Sequence, residues 1–128
     1  MRVLIDTCVF IWLDSDQSKL SPAAQSFLET QKEPLILSMA SLWELAIKIS
    51  LGKLDVRRDL EMAVAEYVQS SAIRVLDIQI PHIAQLQKLP LHHKDPFDRL
   101  LISQAIVEDL SVVTPDAVFD GYPVRRIW

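Results

Sequence analysis

Residues 35–52 read Leu35-Ile36-Leu37-Ser38-Met39-Ala40-Ser41-Leu42-Trp43-Glu44-Leu45-Ala46-Ile47-Lys48-Ile49-Ser50-Leu51-Gly52. Leu35-Ile36-Leu37 is an unbroken apolar run of strand length, as expected where both faces of a strand are covered. The residues from about Met39 to Leu51 are too long for a strand and carry helix formers, and Gly52 is placed to stop them as a left-handed cap. A buried strand feeding directly into a helix is half of a parallel βαβ unit.

The same alternation extends in both directions. Arg2-Val3-Leu4-Ile5 predicts a first strand, followed by a short helix through Val9 to Leu13. Ser21 and Pro22 have the composition of an N-cap and a first helical position, predicting a helix to about Lys32. Further helices are expected from Asp59 to Ser70, from Pro81 to before Pro90, and from Asp95-Pro96 onward. Strands are expected over Ile73 to Ile78 and Ser111-Val112-Val113, with a short last one within Tyr122 to Ile127. The reading is a single α/β domain over residues 1–128, with a short parallel central sheet flanked by helices.

Composition narrows the function classes. Only two glycines occur, Gly52 and Gly121, which removes Gly-rich phosphate cradles and argues against nucleotide cofactors. Cys8 is the sole cysteine, so no internal disulfide or Cys-based zinc site is available, and a reducing cytoplasm is the expected setting. No signal peptide or membrane span is expected, because the apolar stretch from Val3 is interrupted at Asp6 and ends by Leu13. The net charge of −4 does not advertise nucleic-acid binding, although local charge matters more than the total.

Four acids acquire meaning from the topology. In an open parallel sheet, ligands bind at the edge where strands end and the following helices begin. Asp6 follows the first strand, Asp116 follows the Val112-Val113 strand, and Asp98 lies in the first turn of a helix. Glu44 is deeper in its helix, but its longer side chain points back toward the helix N-terminus. Each acid also has a plain structural use. Asp6 is placed to cap the helix near Val9, Asp95 and Asp98 to start the helix at Pro96, and Asp116 to cap a turn after Pro115. Glu44 is placed to pair with Lys48 at i+4. Against that pairing on a solvent face stands the helical wheel, where Ser41, Glu44 and Lys48 share one narrow polar gap in an otherwise apolar circumference.

Four carboxylates brought together require a counter-charge. Lys48 and Arg99 are candidates, but a hard dication with oxygen ligands suits the donor set better: Mg²⁺, with Mn²⁺ tolerated. Adjacent His92 and His93 are expected to diverge and to serve a surface or loop role. Lys48, Lys53, Arg57, Arg58, Lys94 and Arg99 are available to line a nucleic-acid track.

Four blocks together resemble the PIN domain: Leu4-Ile5-Asp6-Thr7, Ser41 through Lys48, Asp95 through Ile102, and Val113-Thr114-Pro115-Asp116. The chain is particularly similar to the VapC-type toxins of prokaryotic toxin–antitoxin pairs, over essentially its whole length. That resemblance implies a PIN fold and a Mg²⁺-dependent endoribonuclease acting on RNA. It implies Asp6, Glu44, Asp98 and Asp116 as the acidic site, with Asp6, Asp98 and Asp116 on metal and Glu44 orienting or deprotonating water. It implies that Thr114 orients a carboxylate or water, and it finds Cys8 where relatives commonly carry Asn or His. It further implies a homodimer neutralised by a VapB-like antitoxin in a groove beside the site. Trp12 and Trp43 are candidates for lining that groove, with core packing the favoured alternative. Two other functions fit the same acids: a PIN-like nuclease acting on RNA or DNA generally, and a non-catalytic module holding a structural ion.

Overall fold

The computed structural model describes residues 1–128. Five strands form one all-parallel sheet: β1 (Val3–Ile5), β2 (Leu35–Ser38), β3 (Ile73–Leu76), β4 (Ser111–Val113) and β5 (Arg126–Ile127). Their spatial order is β3-β2-β1-β4-β5. The chain thus moves outward from β1 through β2 to β3, then returns to β1's other side for β4 and β5. The reversal falls between β1 and β4, the position where open α/β sheets bind ligands.

Six helices cover the sheet: α1 (Thr7–Ser15), α2 (Pro22–Thr30), α3 (Met39–Ser50), α4 (Leu60–Gln69), α5 (Ile80–Leu86) and α6 (Pro96–Glu108). Strand alternation divides the core in two. Val3 and Ile5 point into one cluster with Phe10, Leu37, Leu45 and Val113. Leu4 points into the other with Leu101, Ile102, Ala105, Val112 and Phe119. Both faces of β1 are fully buried, which accounts for its continuous apolar sequence.

The capping residues behave as their chemistry requires. Ser21 accepts from the Ala24 N–H at 3.0 Å, and Ser38 starts α3 by accepting from the Ala40 N–H at 3.0 Å. Gly52, just past α3, has φ +70°, the left-handed value expected of it. The strands are shorter than their sequences suggest. β3 stops at Leu76 rather than Ile78, and β5 comprises only Arg126–Ile127. Two 3₁₀ turns occur, Gln17–Lys19, which is unanticipated, and Ala117–Gly121, the turn expected after Pro115; in each, an aspartate (Asp16, Asp116) accepts from a backbone N–H inside the turn.

Candidate functional site

Parallel register builds the site. Ile5 lies opposite Leu37 on one side and Val113 on the other, so the next residues along, Asp6, Ser38 and Thr114, emerge together at the carboxyl edge. Asp6 is only 7 % exposed. Its Oδ1 accepts from the Thr7 N–H at 2.7 Å, capping α1, and its Oδ2 accepts from the Thr114 hydroxyl at 2.7 Å. The cap and the site are therefore one geometry, in which two donors aim a carboxylate across the sheet edge. Burial pushes its pKa up against those two hydrogen bonds, and the charges of Glu44 and Asp116 push the same way.

Helix α3 supplies Glu44, and it does so with its polar gap turned inward. Ala40, Ser41, Glu44 and Leu45 are buried, whereas Met39, Trp43, Ile47 and Leu51 face outward. The Ser41 Oγ accepts from the Thr7 hydroxyl at 2.9 Å, tying α3 to α1. Glu44 pairs with Lys48 as the i+4 spacing predicts, at 2.9 Å through Oε2. The pair does not sit on a solvent face: Glu44 is 6 % exposed, and its Oε1 is buried without any hydrogen-bond partner. An orphaned carboxylate oxygen is costly unless something else satisfies it. Core packing, the favoured expectation for the tryptophans, fails for Trp43, whose ring is 57 % exposed and meets Phe97 edge-on. Trp12 is half-buried against Trp128.

Asp98 enters from the first turn of α6. Asp95 caps that helix, its Oδ1 accepting from the Phe97 and Asp98 N–H groups at 2.8 and 3.2 Å, the structural role its sequence position predicts. Burial, then the charges of Asp6 and Asp95, push the Asp98 carboxyl up to about 7. Asp116 follows β4; its Oδ1 accepts from the Val118 N–H at 2.9 Å and closes the turn foreseen after Pro115.

His93 is the residue the sequence reading misplaced. It lies in the loop before α6, but its ring turns inward from the surface: its Nε2 lies 3.0 Å from Asp98 Oδ2 and 2.8 Å from Asp116 Oδ2. The divergence from His92 was sound, since the His92 ring turns aside to pack on Tyr122. That divergence is what delivers the neighbouring ring to the acids. Its spacing from Asp95 and Asp98, in a stretch about to enter a helix, was the available signal.

All four predicted acids thus meet, in two overlapping groups. Asp6, Glu44 and Asp98 line a cleft of about 290 Å³, with Lys48 and Asp95 beside them and Ile11, Trp12 and Leu54 as an apolar wall. His93, Asp98 and Asp116 bring ligand-type atoms within 4.8 Å of one another. Asp98 belongs to both groups and is the pivot of the site. Cys8 borders the cleft, its Sγ 3.9 Å from Asp6 Oδ2. Burial and the charges of Asp6 and Asp98 push the thiol up to about 12.

The counter-charges within the protein are few. Lys48 is held protonated by its hydrogen bond to Glu44 and by the charges of Asp95 and Asp98. Arg99 does not reach the acids; its guanidinium binds the carbonyls of Leu86, Leu89, Pro90 and His93 at 3.0–3.4 Å. Arg57 and Arg58 pair with Asp14, and Arg58 also with Glu66. Four of the six cations read as a nucleic-acid track, Lys48 with Glu44 among them, are therefore engaged within the protein. The oxygen-rich donor set, the unpaired Glu44 Oε1 and the raised pKa of Asp98 are together what a hard divalent cation would relieve.

Comparison with known proteins follows this geometry. A family model, the PIN domain, matches residues 3–124. No curated protein sequence matches the chain. Among solved structures, the VapBC2 complex of Rickettsia felis bound to a fragment of its promoter DNA is similar over 100 % of both chains, with a TM-score of 0.68 and 15 % identity. The DNA-bound VapBC of Salmonella typhimurium is similar over 98 % of this chain and 96 % of that one, at TM-score 0.65 and 17 % identity. A toxin–antitoxin complex from Klebsiella pneumoniae is similar over 94 % and 92 %, at 0.61 and 17 %. At these identities the likeness is one of fold.

Proposed function

The chain belongs to the PIN domain family, and we propose that within it this protein is a magnesium-dependent endoribonuclease, the toxin of a toxin–antitoxin pair. The observation that carries the reading is Glu44: a buried carboxylate with one oxygen unpaired, lining the same cleft as Asp6 and an Asp98 driven to about 7. A structural carboxylate is normally satisfied when buried.

Asp6, Asp98 and Asp116 are the residues that would hold Mg²⁺ or Mn²⁺, and such an ion supplies charge neutralisation at the phosphodiester and a lowered pKa for water. Thr114 orients Asp6 through its hydroxyl. Glu44 orients the attacking water and accepts its proton through Oε1, while Lys48 keeps Oε2 occupied. Water rather than the RNA 2′-hydroxyl is the nucleophile, so the products carry 5′-phosphate and 3′-hydroxyl ends. Lys53 and Lys94 remain to meet the phosphate backbone.

The toxin assignment is supported by the folds shared with VapBC and toxin–antitoxin complexes. The outward Met39, Trp43, Ile47 and Leu51 stripe supports a protein partner, a VapB-like antitoxin, and assembly as a homodimer. No helix is long and apolar enough to cross a membrane, and we place the protein in the cytoplasm.

The test is cleavage of matched RNA and single-stranded DNA in Mg²⁺, with EDTA and with Asp6→Asn. RNA-selective, EDTA-sensitive cutting that Asp6→Asn abolishes without loss of fold supports the reading. Equal cutting of DNA points to a general PIN nuclease; 2′,3′-cyclic phosphate products contradict the mechanism.

A further inference from the structure

The partners of His93 determine where its ring carries a hydrogen. Nδ1 accepts the Asp95 backbone N–H at 3.1 Å, which requires a lone pair on that nitrogen. The neutral ring therefore carries its hydrogen on Nε2, the atom 2.8 Å from Asp116 Oδ2 and 3.0 Å from Asp98 Oδ2. Ligation of a metal through Nε2 would need a lone pair at that same position. We propose that His93 is a positioning residue for the nuclease site: an imidazole tether that donates from Nε2 to Asp116, stands 3.0 Å from Asp98, and sets the spacing at which those carboxylates hold a cation. This rests on the metal-site reading given above.

The tether is itself anchored on every side. Asp95, whose N–H orients the ring, also accepts from the Asp98 N–H, so one residue links the ring to the helix start that carries Asp98. The Tyr122 hydroxyl accepts from the His92 and His93 N–H groups at 3.1 and 2.8 Å and donates to the Pro90 carbonyl at 2.8 Å. Arg99 holds the carbonyls of Pro90 and His93 from the other side. The ring meets Phe119 edge-on at 6.0 Å. Backbone clamps and an aromatic wall leave the imidazole little freedom, which is the construction expected around a group that orients metal-binding carboxylates.

Two readouts on the full-length protein test this. Ring ¹⁵N NMR of His93, recorded without metal and at saturating Mg²⁺, should show hydrogen on Nε2 in both states. Mn²⁺ binding followed by electron paramagnetic resonance should weaken about 10- to 100-fold in His93→Ala. His93→Gln, whose amide can accept from Asp95 and donate to a carboxylate, should recover most of that loss. Loss of the Nε2 hydrogen on adding Mg²⁺ would make His93 a ligand and overturn the proposal. So would unchanged Mn²⁺ affinity in a folded His93→Ala, or a His93→Gln no better than a folded alanine variant. Should His93→Ala not fold, the ring tautomer in the unsubstituted protein and near-normal affinity of His93→Gln decide the matter. Uptake of Mn²⁺ by the unsubstituted protein but not by Asp98→Asn keeps the metal reading standing even where the tether fails; no uptake at all removes both.

Discussion

The two faces of α3 reverse what a helix on a sheet ordinarily presents. Its inner face holds Ser41 and Glu44, 1 % and 6 % exposed, while its outer face holds Met39, Trp43, Ile47 and Leu51, 36–61 % exposed. Hydrophobic burial alone would turn the helix the other way. Ala40 and Leu45, buried beside the two polar residues, and the half-buried Leu42 supply the usual apolar contact. The difference separates the two tasks of the helix. The inner face holds a carboxylate at the sheet edge at a cost in desolvation, and the outer stripe is the apolar surface on which the proposed protein partner would dock.

The sharpest way to break this comparison is within the inner face itself. Glu44→Gln should lower RNA cleavage about 10²- to 10⁴-fold while shifting stability by less than about 1 kcal/mol, since its ion pair involves a half-exposed lysine. Leu45→Ala, one residue on and 2 % exposed, should do the reverse, costing about 2–5 kcal/mol by chemical denaturation. If both substitutions acted through stability, Glu44 would be a structural residue.

Asp98 extends the contrast to pH. Its folded pKa of about 7 lies above the ordinary 3.8, so the native state holds this proton more tightly than the unfolded chain. For this group the metal-free fold is therefore most stable below about pH 3.8, loses stability as pH rises to about 7, and loses no more above it. Thermal melting of metal-free Asp98→Asn should lack that slope and give a higher Tm than the unsubstituted protein at pH 8. A smaller effect is expected on the outer face. Trp43→Ser and Ile47→Ser should leave folding stability within about 0.5 kcal/mol of the parent, yet weaken self-association or partner binding in analytical ultracentrifugation. Retained association would free the stripe of an interface role. Tyr122→Phe, which removes the clamp on the His93 backbone but keeps its ring, should cost about 1 kcal/mol in stability.

Much of this was legible before any coordinates. Strand-length apolar runs, Ser21-Pro22, Asp95-Pro96 and Gly52 placed most elements, because each reflects a local preference that the tertiary structure does not override. The four acids were legible as a group because parallel topology delivers strand ends and helix starts to a single edge. What stayed hidden depended on distant partners. A helical wheel locates the polar gap of α3 but not the direction it faces, which is set by contacts such as Thr7 with Ser41. Arg57, Arg58 and Arg99 read as free cations because Asp14 and the carbonyls of residues 86–93 are brought to them only by folding. His93 was passed over because divergence from His92 says nothing of where the second ring ends.

The central claim is that like charges gathered at the carboxyl edge exist to bind a dication. Isothermal titration of Mg²⁺ or Mn²⁺ into the protein at pH 7.5, beside Asp98→Asn, tests it most directly. Saturable uptake by the unsubstituted protein, lost in the variant, is the predicted result. No uptake, or equal uptake by both, would contradict the account.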